Sequence, residues 1–565
     1  MDADWQIRNT QSEEQVLRFA EELNSSPILA RVLLHRGVED VETARRYFRP
    51  SLSHLHDPFA MAGMNDAVQR VLLALEKRQR ILIYGDYDVD GTTATSMLLL
   101  FLRQLGHPAD FYIPERLVEG YGLSERGIKY ARDNGFELII SVDCGITAER
   151  EIATANRLGM DVIVCDHHQP GNELPPALAV LNPKREDCSY PFKELAGVGV
   201  AFKLLQALRA RLNLPEEKLL ELLDLVAVGS AADIVPLVDE NRVLVKFGLD
   251  RLRQTGNVGL RALLEATALW GKNVGTGQVV FVLAPRINAV GRLGDAGRAV
   301  RMLTTDNEQQ ARNIASILES ENRNRRDIDE ATLAEAVECI ETQFVPEKES
   351  VFVLSSEGWH PGVIGIVASR LVEKYYRPTV MIATENGQGR GSARSIPGFD
   401  IYQALKHCEE LMVNFGGHKY AAGLTIESDN IPQLREKLAE VASNTLSPEM
   451  LKPKLWIDAQ IRLSEIDEPL LKLLRRMAPY GPQNMRPVFM SGGLQIVGTP
   501  TVVGKNHLRF KVRQDGVVMD AIGFNLAELK YRISSGEKNV EMVYVIDENE
   551  WQGRKRIQLR VKDLR

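Results

Sequence analysis

The residues best suited to chemistry are three aspartates at alternate positions, Asp86, Asp88 and Asp90, which follow an apolar run beginning at Ile81. Carboxylates this close repel one another, so holding them together at neutral pH requires a multivalent cation or several hydrogen-bond donors. A single Asp after a strand often only caps the next helix or makes a turn. Three at alternate positions favour a metal site over that alternative.

The same spacing, Asp-x-Asp-x-Asp-Gly, also opens the calcium-binding loop of an EF-hand. That loop needs a bidentate Glu at its twelfth position, which here is Met97. An apolar run of the strand type, rather than a helix, precedes the aspartates. The EF-hand interpretation is therefore excluded.

Further acidic and imidazole side chains follow other apolar runs along the chain. The full set is Asp86, Asp88, Asp90, Asp143, Asp166, His167, His168 and Asp233. Hard oxygen donors with one or two imidazoles suit Mg²⁺ or Mn²⁺ better than Zn²⁺. With one carboxylate bridging, such a set can hold two ions about 3.5–4 Å apart, a geometry that clamps the attacking water and the leaving oxygen in phosphoester hydrolysis.

These residues must be positioned by alternating strands and helices. Strands are predicted at Arg80–Gly85, Ala109–Ile113, Leu138–Val142, Asp161–Cys165 and Ala179–Asn182, with helices between them such as Thr92–Leu105, Ser124–Asn134 and Ala148–Leu158. This alternation predicts a parallel sheet wrapped by helices. Ligands of such sheets bind at the carboxyl edge, where the acidic residues should converge.

Length and composition indicate a multidomain globular protein, since 565 residues at 44% hydrophobic suffice for three or four cores. The predicted division is a helical appendage (1–60), a catalytic α/β domain (61–304), a long connecting helix (305–342), a second α/β domain (343–450) and an OB-fold-like barrel (451–565). The expected fold class is thus two parallel-sheet α/β domains joined by a long helix, plus a C-terminal OB-like β-barrel.

The net charge of −7 averages over unlike regions. Residues 451–565 contain about 20 Lys and Arg against about 13 Asp and Glu, a balance near +7. Short apolar runs there predict the strands of a small barrel that binds single-stranded nucleic acid. Aromatic residues available for base stacking are Trp456, Tyr480, Phe510, Tyr531 and Trp551.

Composition also indicates where the protein is located in the cell. No apolar run approaches the roughly 18 residues of a membrane span, and the first residues lack the features of a signal peptide. The five cysteines include no Cys-x-x-Cys pair, which argues against a disulfide framework and a thiolate zinc site. A cytoplasmic protein with reduced thiols and no membrane partner is expected.

Three glycine-rich or basic stretches are open to two interpretations. The stretch 282–292, with Arg286, Asn288 and Arg292, is either a simple basic turn that interrupts a helical region or a phosphate cradle. Turns are also predicted at 389–395 and at 416–418, where glycine would let the backbone approach a phosphate closely. The same residues could equally be plain connections.

Four motifs together resemble the DHH phosphoesterase family: Asp86-Tyr87-Asp88-Val89-Asp90-Gly91, Asp143-Cys144-Gly145, Asp166-His167-His168 and Ala231-Ala232-Asp233. The resemblance implies that Asp143 bridges two Mn²⁺ or Mg²⁺ ions. It further implies that Asp90, His167 and Asp233 complete one metal site and that Asp86 and Asp88 complete the other, with His168 at the substrate phosphate. Tyr84 stands where some members have a metal-binding His.

The second half resembles the substrate-binding domain of the same family, marked by Gly416-Gly417-His418, and the whole chain resembles the branch that degrades single-stranded DNA from its 5′ end in repair and recombination. That resemblance implies a grip on nucleotide phosphates by Arg116, Ser392 and Arg394. Arg286 and Arg292 would line the DNA path, and His418 would lie near the scissile phosphate. The remaining substrate contacts implied are Asn288, His360, Gly416 and Gly417.

The expected activity is therefore metal-dependent 5′→3′ exonuclease action on single-stranded DNA, with Asp90, Asp143, His168 and His418 catalytic. A single-strand-binding protein and a helicase are the implied partners. One alternative is a DHH phosphodiesterase acting on nanoRNA or cyclic dinucleotides, against which the basic barrel and the long helix weigh. The other is a DNA-binding scaffold without catalysis, against which the complete set of ligands weighs.

Overall fold

The computed structural model describes residues 3–9, 11–116, 118–533, 536–551 and 554–565, without the side chains of 293, 550, 551 and 554. The chain forms two units. The first comprises Asp57–Asp233 and Gly248–Pro453. The second comprises Ala3–His56, Ile234–Phe247 and Lys454–Arg565.

Strands and helices alternate over most of the first unit, and strands dominate the end of the second. The strands are β1 (Asp4–Ile7), β2 (Ile81–Gly85), β3 (Ala109–Tyr112), β4 (Leu138–Val142), β5 (Asp161–Cys165), β6 (Ala179–Leu181), β7 (Phe352–Ser356), β8 (Thr379–Glu385), β9 (Gln388–Arg394), β10 (Met412–His418), β11 (Ala421–Glu427), β12 (Lys454–Ile457), β13 (Ala459–Gln460), β14 (Phe489–Val503), β15 (His507–Gln514), β16 (Val517–Gly523), β17 (Val540–Trp551) and β18 (Arg554–Leu564). The α-helices are α1 (Glu13–Glu22), α2 (Pro27–Leu34), α3 (Val41–Phe48), α4 (Met64–Glu76), α5 (Val89–Gln104), α6 (Glu125–Asp133), α7 (Glu149–Arg157), α8 (Gly197–Leu212), α9 (Glu216–Leu220), α10 (Leu223–Ala232), α11 (Asp239–Leu252), α12 (Val258–Ala266), α13 (Thr276–Gln278), α14 (Ala284–Leu293), α15 (Gly297–Thr304), α16 (Glu308–Gln343), α17 (Ile364–Tyr375), α18 (Ile401–Lys406), α19 (Ile431–Thr445) and α20 (Glu468–Arg476).

The first sheet has the order β3-β2-β4-β5-β6, and every pair in it is parallel. Strands β2 and β4 are buried along their whole length, which explains why they read as continuous apolar runs rather than as alternating ones. The chain order reverses at β2, since β3 lies on one side of it and β4 on the other. Such a switch point opens a crevice at the carboxyl ends of the strands.

The second sheet has the order β10-β11-β9-β8-β7. Its parallel pairing is confined to β7 and β8, which α17 connects, while the other neighbours are antiparallel. Buried apolar residues cover both faces of this sheet, with α17 on one and α18 and α19 on the other. The domain is therefore α/β as expected, with a mixed sheet.

The long helix α16 matches the expected connection closely. Asn307 caps its first turn, because the Asn307 side chain accepts the N–H of Gln310. Its 36 residues contain neither Gly nor Pro and span about 54 Å at 1.5 Å per residue. Three of its buried positions are polar, Asn322, Asp329 and Thr332, so this helix buries hydrogen-bonding groups as well as apolar ones.

The second unit contains a closed barrel of five strands. The order β14-β15-β16-β18-β17 is closed by antiparallel pairing of β14 with β17. Side chains of β15 alternate between the barrel interior and solvent, since Leu508, Phe510 and Val512 are buried. The expected C-terminal barrel and the fold class are confirmed.

Residues of the expected N-terminal appendage share the hydrophobic core of this barrel. Val16, Phe19 and Leu33 pack in one cluster with Leu463 and Phe489. Strand β1 also pairs in parallel with β12. The sequence predicts that residues 1–60 and 451–565 belong to different domains. In the structure the two regions bury apolar surface against each other and form one unit. The other boundaries of the five-part division stay predictions.

Arg242 stabilises this unit from the segment 234–247. Its guanidinium donates to the carbonyls of Met477 (2.8 Å) and Tyr47 (3.1 Å) and to three further carbonyls, and it stacks on the Tyr47 ring at 4.0 Å. Carbonyl oxygens orient a guanidinium without neutralising it. A segment that is distant in sequence thus joins the N-terminal helices to the residues that precede the barrel.

Among the described residues, no helix combines the length and the apolar character that crossing a bilayer would require.

Candidate active site

The carboxyl edge of the first sheet presents three aspartates at the same level. Gly85 of β2 pairs with Val142 of β4, and Val142 pairs with Cys165 of β5. The residues that follow are Asp86, Asp143 and Asp166. Because the paired strands end in register, these side chains emerge side by side, as the sequence pattern predicted.

The loop that follows β2 is tight. A Cβ atom at Gly91 would lie 2.6–2.8 Å from the backbone of Asp86, so only glycine fits there. Asp88 caps α5 by accepting the N–H of Gly91 at 3.0 Å. The cap uses one carboxylate oxygen of Asp88, so it is compatible with a ligand role for the other oxygen.

Asp90 lies in the first turn of α5 and is 1% exposed. Its carboxylate accepts the N–H groups of Gly197 (2.7 Å) and Val198 (2.8 Å) at the start of α8. The positive end of that helix favours the ionised form of the carboxylate. A Cβ at Gly197 would lie 2.7 Å from Asp143, so glycine also permits this close approach.

Asp166 organises the loop after β5. It accepts the N–H groups of Ile146 (3.0 Å), His167 (2.7 Å) and His168 (3.1 Å), and it bonds Nδ1 of His168 at 2.8 Å. Burial works to raise the pKa of Asp166, but the bond from His168 and the charges of both histidines lower it to about 2. Asp166 therefore fixes the positions of His167 and His168, whose imidazoles face the other carboxylates of the site.

His167 faces three carboxylates from different elements. Its Nε2 lies 3.2 Å from Asp143, 3.5 Å from Asp233 and 4.0 Å from Asp90. Burial, followed by the charge of His168, lowers the pKa of His167 to about 3, so the imidazole is neutral. A neutral imidazole is the form that ligates metals.

The cluster contains three groups of three donors that share members, and within each group the ligand atoms lie within 4.8 Å of one another. The groups are Asp86 with Asp88 and Asp143, Asp90 with His167 and Asp233, and Asp143 with His167 and His168. Asp143 and His167 each belong to two of the groups, and Asp143 is the only carboxylate that does. Such an arrangement could serve two adjoining cation sites that share one carboxylate.

The donor atoms fit divalent cations. Asp86 Oδ1, Asp143 Oδ1 and His167 Nε2 are buried, and none has a hydrogen-bond partner within the described part of the chain. Burial, and then the charge of Asp88, raises the pKa of Asp90 to about 7. Burial and neighbouring carboxylates likewise raise the pKa of Asp86, Asp143 and Asp233 well above the ordinary value. Bound Mn²⁺ or Mg²⁺ would compensate these charges.

Tyr84 takes no part in this cluster. Its ring is fully buried among apolar residues on one face of the sheet. Its hydroxyl accepts the N–H of Ser124 at 3.1 Å and lies 3.3 Å from the carbonyl of Gly122. The side chain therefore points away from the aspartates.

Two residues at this edge, Tyr121 and Lys184, were not predicted from the sequence. The Tyr121 hydroxyl donates to the carbonyl of Asp143 (2.8 Å) and lies 3.0 Å from His168 Nδ1. The charge of Lys184 acts on both Asp233 and His167: it opposes the rise in the pKa of Asp233 that burial causes, and it adds to the lowering of the pKa of His167 by burial. Tyr121 stands between two glycines with positive φ, Gly120 and Gly122, and this flanking pattern was the available signal.

A group of arginines lies beside the cluster. The Arg116 guanidinium stacks on the ring of Tyr87 at 4.9 Å, and Tyr87 stands between Asp86 and Asp88. Arg394 donates to Ser392 Oγ at 3.0 Å and to the carbonyl of Ala393 at 2.7 Å. Burial, and then the charge of Arg116, lowers the pKa of Arg394. Arg116 and Arg394 therefore share one electrostatic environment, although they belong to different domains.

The stretch 282–292 is helical, which corrects the expectation of an interruption. It runs from a π-helical turn at Val279–Leu283 into α14. Pro285 does not break this helix, because it stands in the first turn of α14, where proline is tolerated. Arg292 donates to the carbonyl of Gly362 at 3.1 Å. Arg286 donates to Glu319 and to the carbonyl of Val282 in the π-helical turn, and the buried Oδ1 of Asn288 has no partner among the described residues.

The two glycine-rich stretches of the second sheet are strands, not turns. Ser392 and Arg394 lie on β9, while Gly416, Gly417 and His418 end the edge strand β10 and are exposed. No described contact joins His418 to the carboxylates. His360 accepts the N–H of Gly362 at 3.0 Å through Nδ1. The glycines permit close strand packing, since a Cβ at Gly417 would lie 2.4 Å from Ala421.

The barrel unit, considered by itself, exposes a basic stripe on β15. Arg509, Lys511 and Arg513 point outward. Of the aromatic residues expected to stack on bases, Trp456 (46%) and Tyr531 (95%) are exposed. Phe510 is 4% exposed and belongs to the core, Tyr480 is largely buried with its hydroxyl bonded to Leu474, and the side chain of Trp551 lies outside the described residues.

Family models match three parts of the chain. They are described as the DHH family N-terminal domain (residues 80–230), the DHHA1 domain (348–444) and the RecJ OB domain (457–563). The single-stranded-DNA-specific exonuclease RecJ of Bacillus subtilis (strain 168) is 39% identical over 565 residues, 99% of this chain and 70% of that protein. RecJ of Escherichia coli (strain K12) is 34% identical over 559 residues, 95% of this chain and 96% of that protein.

Two solved structures are also similar to this chain. RecJ from Thermus thermophilus in complex with Mn²⁺ matches with a TM-score of 0.85 and 32% identity, covering 100% of this chain and 79% of that chain. Exonuclease RecJ bound to manganese matches with a TM-score of 0.62 and 38% identity, covering 70% of this chain and 98% of that chain.

Proposed function

The chain belongs to the RecJ family of single-stranded-DNA-specific exonucleases, and we propose that it hydrolyses such DNA from the 5′ end to mononucleotides. Mn²⁺ or Mg²⁺ is the cofactor, as in the solved relatives. The observation that carries the proposal is a cluster of ligand groups beside a set of arginines in one unit. A small cyclic dinucleotide would need neither the basic barrel nor the long helix.

In this proposal Asp143 would be a ligand of both ions. Asp86 and Asp88 would complete one site, and Asp90, His167 and Asp233 would complete the other. The bound ions supply Lewis acidity that activates water and stabilises charge on the scissile phosphate and the leaving oxygen. The protein contributes fixed donors on a rigid sheet edge, which lose little entropy when substrate binds.

His168 is the candidate for a proton-bearing contact to the phosphate. Burial works to lower the pKa of His168, but the bond to Asp166 and the nearby carboxylates raise it above the ordinary value. A protonated imidazole held by Asp166 presents Nε2–H for a charge-assisted hydrogen bond. The hydroxyl of Tyr121, 3.0 Å from Nδ1, adds to the fixing of the ring.

End selection follows from the arginines. Arg116 and Arg394 with the Ser392 hydroxyl suit a terminal phosphate dianion better than an internal phosphodiester, which has a single charge. A terminal phosphate held beside the metal cluster directs cleavage to the first bond of the strand. His418 and Asn288 stay predictions as substrate contacts.

A nuclease assay tests the function. Single strands labelled at the 5′ end should release labelled mononucleotide from the outset with Mn²⁺ or Mg²⁺, whereas strands labelled at the 3′ end should shorten gradually. Blunt duplexes should resist digestion, because a duplex is about twice as thick as the single strand that the metal cluster and the arginines would have to hold. Early release of a 3′ label would contradict the polarity, and uncut single strands would contradict the function itself.

Replacing Arg394 by Ala should reduce the preference for a 5′-phosphate over a 5′-hydroxyl by about tenfold or more. The variant loses a charged hydrogen bond worth roughly 1.5–3 kcal/mol, and about 1.4 kcal/mol corresponds to tenfold. The measurement is kcat/KM on matched strands. The control is Arg390→Ala, an exposed arginine nearer the other end of β9. An equal ratio in wild type and Arg394→Ala would remove Arg394 from end recognition.

An enzyme that needs free single-stranded ends depends on a helicase to make them and meets a single-strand-binding protein on them, so both are proposed partners in repair and recombination. The five cysteines are free thiols, four of them buried, and a DNA substrate favours the cytoplasm as the place of action.

A further inference from the structure

A single segment of the chain carries both Arg116 and Tyr121. It is the connection 113–124, which leaves β3 at the edge of the first sheet and ends at the start of α6. Arg116 stacks on the ring of Tyr87 at 4.9 Å, and the Tyr121 hydroxyl donates to the carbonyl of Asp143 at 2.8 Å. The position of this segment therefore decides where a phosphate-binding guanidinium and a contact of the metal cluster lie.

The side chain of Glu119 ties this segment together from its middle. Its Oε2 accepts the hydroxyl of Tyr112 (2.9 Å) at the end of β3 and that of Ser124 (2.5 Å) at the cap of α6. Its Oε1 accepts the backbone N–H of Glu115 at 2.9 Å. One carboxylate thus joins the two ends of the segment and fixes the residue immediately before Arg116.

Glu119 differs from the other glutamate of the segment in burial. Its side chain is 4% exposed, whereas that of Glu115 is 56% exposed and pairs with Arg126 at 3.4 Å. A buried carboxylate is costly unless donors satisfy its oxygens, and the three hydrogen bonds of Glu119 meet that condition. The backbone closes the same turn, since the N–H of Glu119 donates to the carbonyl of Glu115 at 2.8 Å.

The bond from Ser124 to Glu119 also restrains Tyr121, which lies between these two residues. The glycines on both sides of Tyr121 have positive φ, a region of backbone conformation that glycine enters freely. A stretch with two such residues has many accessible conformations unless its ends are held. With the ends held by one carboxylate, the Tyr121 hydroxyl lies 3.0 Å from His168 Nδ1.

We propose that Glu119 is a positioning residue for the nuclease reaction, which places Arg116 at the terminal phosphate and Tyr121 against His168. This inference rests on the proposed function. It makes recognition of the 5′ end and the arrangement of the metal cluster depend on the same carboxylate. Glu119 acts on the reaction through these residues, because its own oxygens are occupied by donors from within the segment and from the end of β3.

The test begins with Glu119→Ala on matched 5′-phosphate and 5′-hydroxyl single strands with Mn²⁺. The ratio of kcat/KM for the two strands should fall about tenfold, because a displaced guanidinium loses a charged hydrogen bond to the phosphate. On 5′-hydroxyl strands kcat should fall about three- to tenfold, since a small displacement of positioned groups slows reaction. Partial unfolding would lower both kcat/KM values equally and leave their ratio unchanged. A wild-type ratio in Glu119→Ala would overturn the proposal.

Two double-mutant cycles show whether Glu119 acts through the proposed residues. In the Arg116→Ala background, adding Glu119→Ala should change the ratio less than about twofold, because the guanidinium that Glu119 positions is already absent. In the Tyr121→Phe background, Glu119→Ala should lower kcat less than it does in the wild type. Effects that multiply fully in either cycle would overturn the proposal.

Glu115→Ala is the matched control, because it removes an exposed carboxylate from the same segment. It should leave the ratio and kcat at wild-type values. Tyr112→Phe keeps the ring that packs on Tyr84 and Tyr130 but removes one donor to Glu119. It should show a smaller fall in both quantities than Glu119→Ala.

If Glu119→Ala fails to fold, Tyr112→Phe decides. A lowered ratio together with a lowered kcat supports the proposal, and a wild-type value of either quantity overturns it. A wild-type protein that leaves single strands uncut, or that cleaves the 5′-phosphate and 5′-hydroxyl strands equally well, would instead count against the proposed function.

Discussion

Substitution of Asp143 by Asn is expected to lower kcat roughly a thousandfold or more while leaving single-strand binding largely intact. Asp143 is the carboxylate shared by two donor groups, so its loss weakens both cation sites together. Asn is preferable to Ala, because Asp143 has a φ of 59°, a left-handed conformation that Asn tolerates and Ala does not. Single-turnover cleavage and strand binding, measured side by side, separate the two effects.

A second readout distinguishes loss of a ligand from misfolding. The metal-free Asp143→Asn protein should melt at a higher temperature than the metal-free wild type, because one of several mutually repelling buried charges is gone. Asp133→Asn, an exposed position at the end of α6, is the control and should change neither activity nor melting. Normal turnover by Asp143→Asn would end the assignment of a shared ligand.

Removal of divalent ions should abolish cleavage and lower the thermal midpoint, and Mn²⁺ or Mg²⁺ should restore both. The stability effect depends on pH in a direction set by Asp90, whose pKa rises from the ordinary value of 3.8 to about 7 when burial and Asp88 act on it. Between these two values the metal-free folded state keeps a proton that the unfolded chain has lost. The metal-free protein therefore loses stability as pH rises from about 4 to about 7.

Divalent ions bind the ionised carboxylates, so added Mn²⁺ should raise the thermal midpoint more at about pH 8 than at about pH 5. Differential scanning calorimetry at the two pH values, with chelator and with Mn²⁺, measures the difference. The His167→Gln variant should show a smaller Mn²⁺ response at both values, because one buried ligand is lost. A midpoint that ignores Mn²⁺ at both pH values would show that the cluster binds no cation.

The sequence by itself determined the first sheet and the chemistry at its edge. Strands β2, β4 and β5 are short, continuous apolar runs bounded by turn residues, a pattern set by local composition. Parallel strands joined by helices present their carboxyl ends at one edge, so aspartates after separate strands had to meet. The helix α16 was equally readable, because 36 residues without Gly or Pro leave few alternatives.

The tertiary structure alone decided the rest. The glycine-rich segments in β9 and β10 lack the side chains that give a strand its alternating pattern, so only pairing with β11 and β8 reveals them as strands. The union of residues 3–56 with the barrel depends on apolar contacts across more than 400 residues of chain, which no local pattern encodes. Whether an arginine is paired with a carboxylate, like Arg286, or oriented by a neutral group, like Arg394, depends on which partner packing brings within a few ångströms. Local propensity acts along the chain, whereas charge compensation and burial act through space.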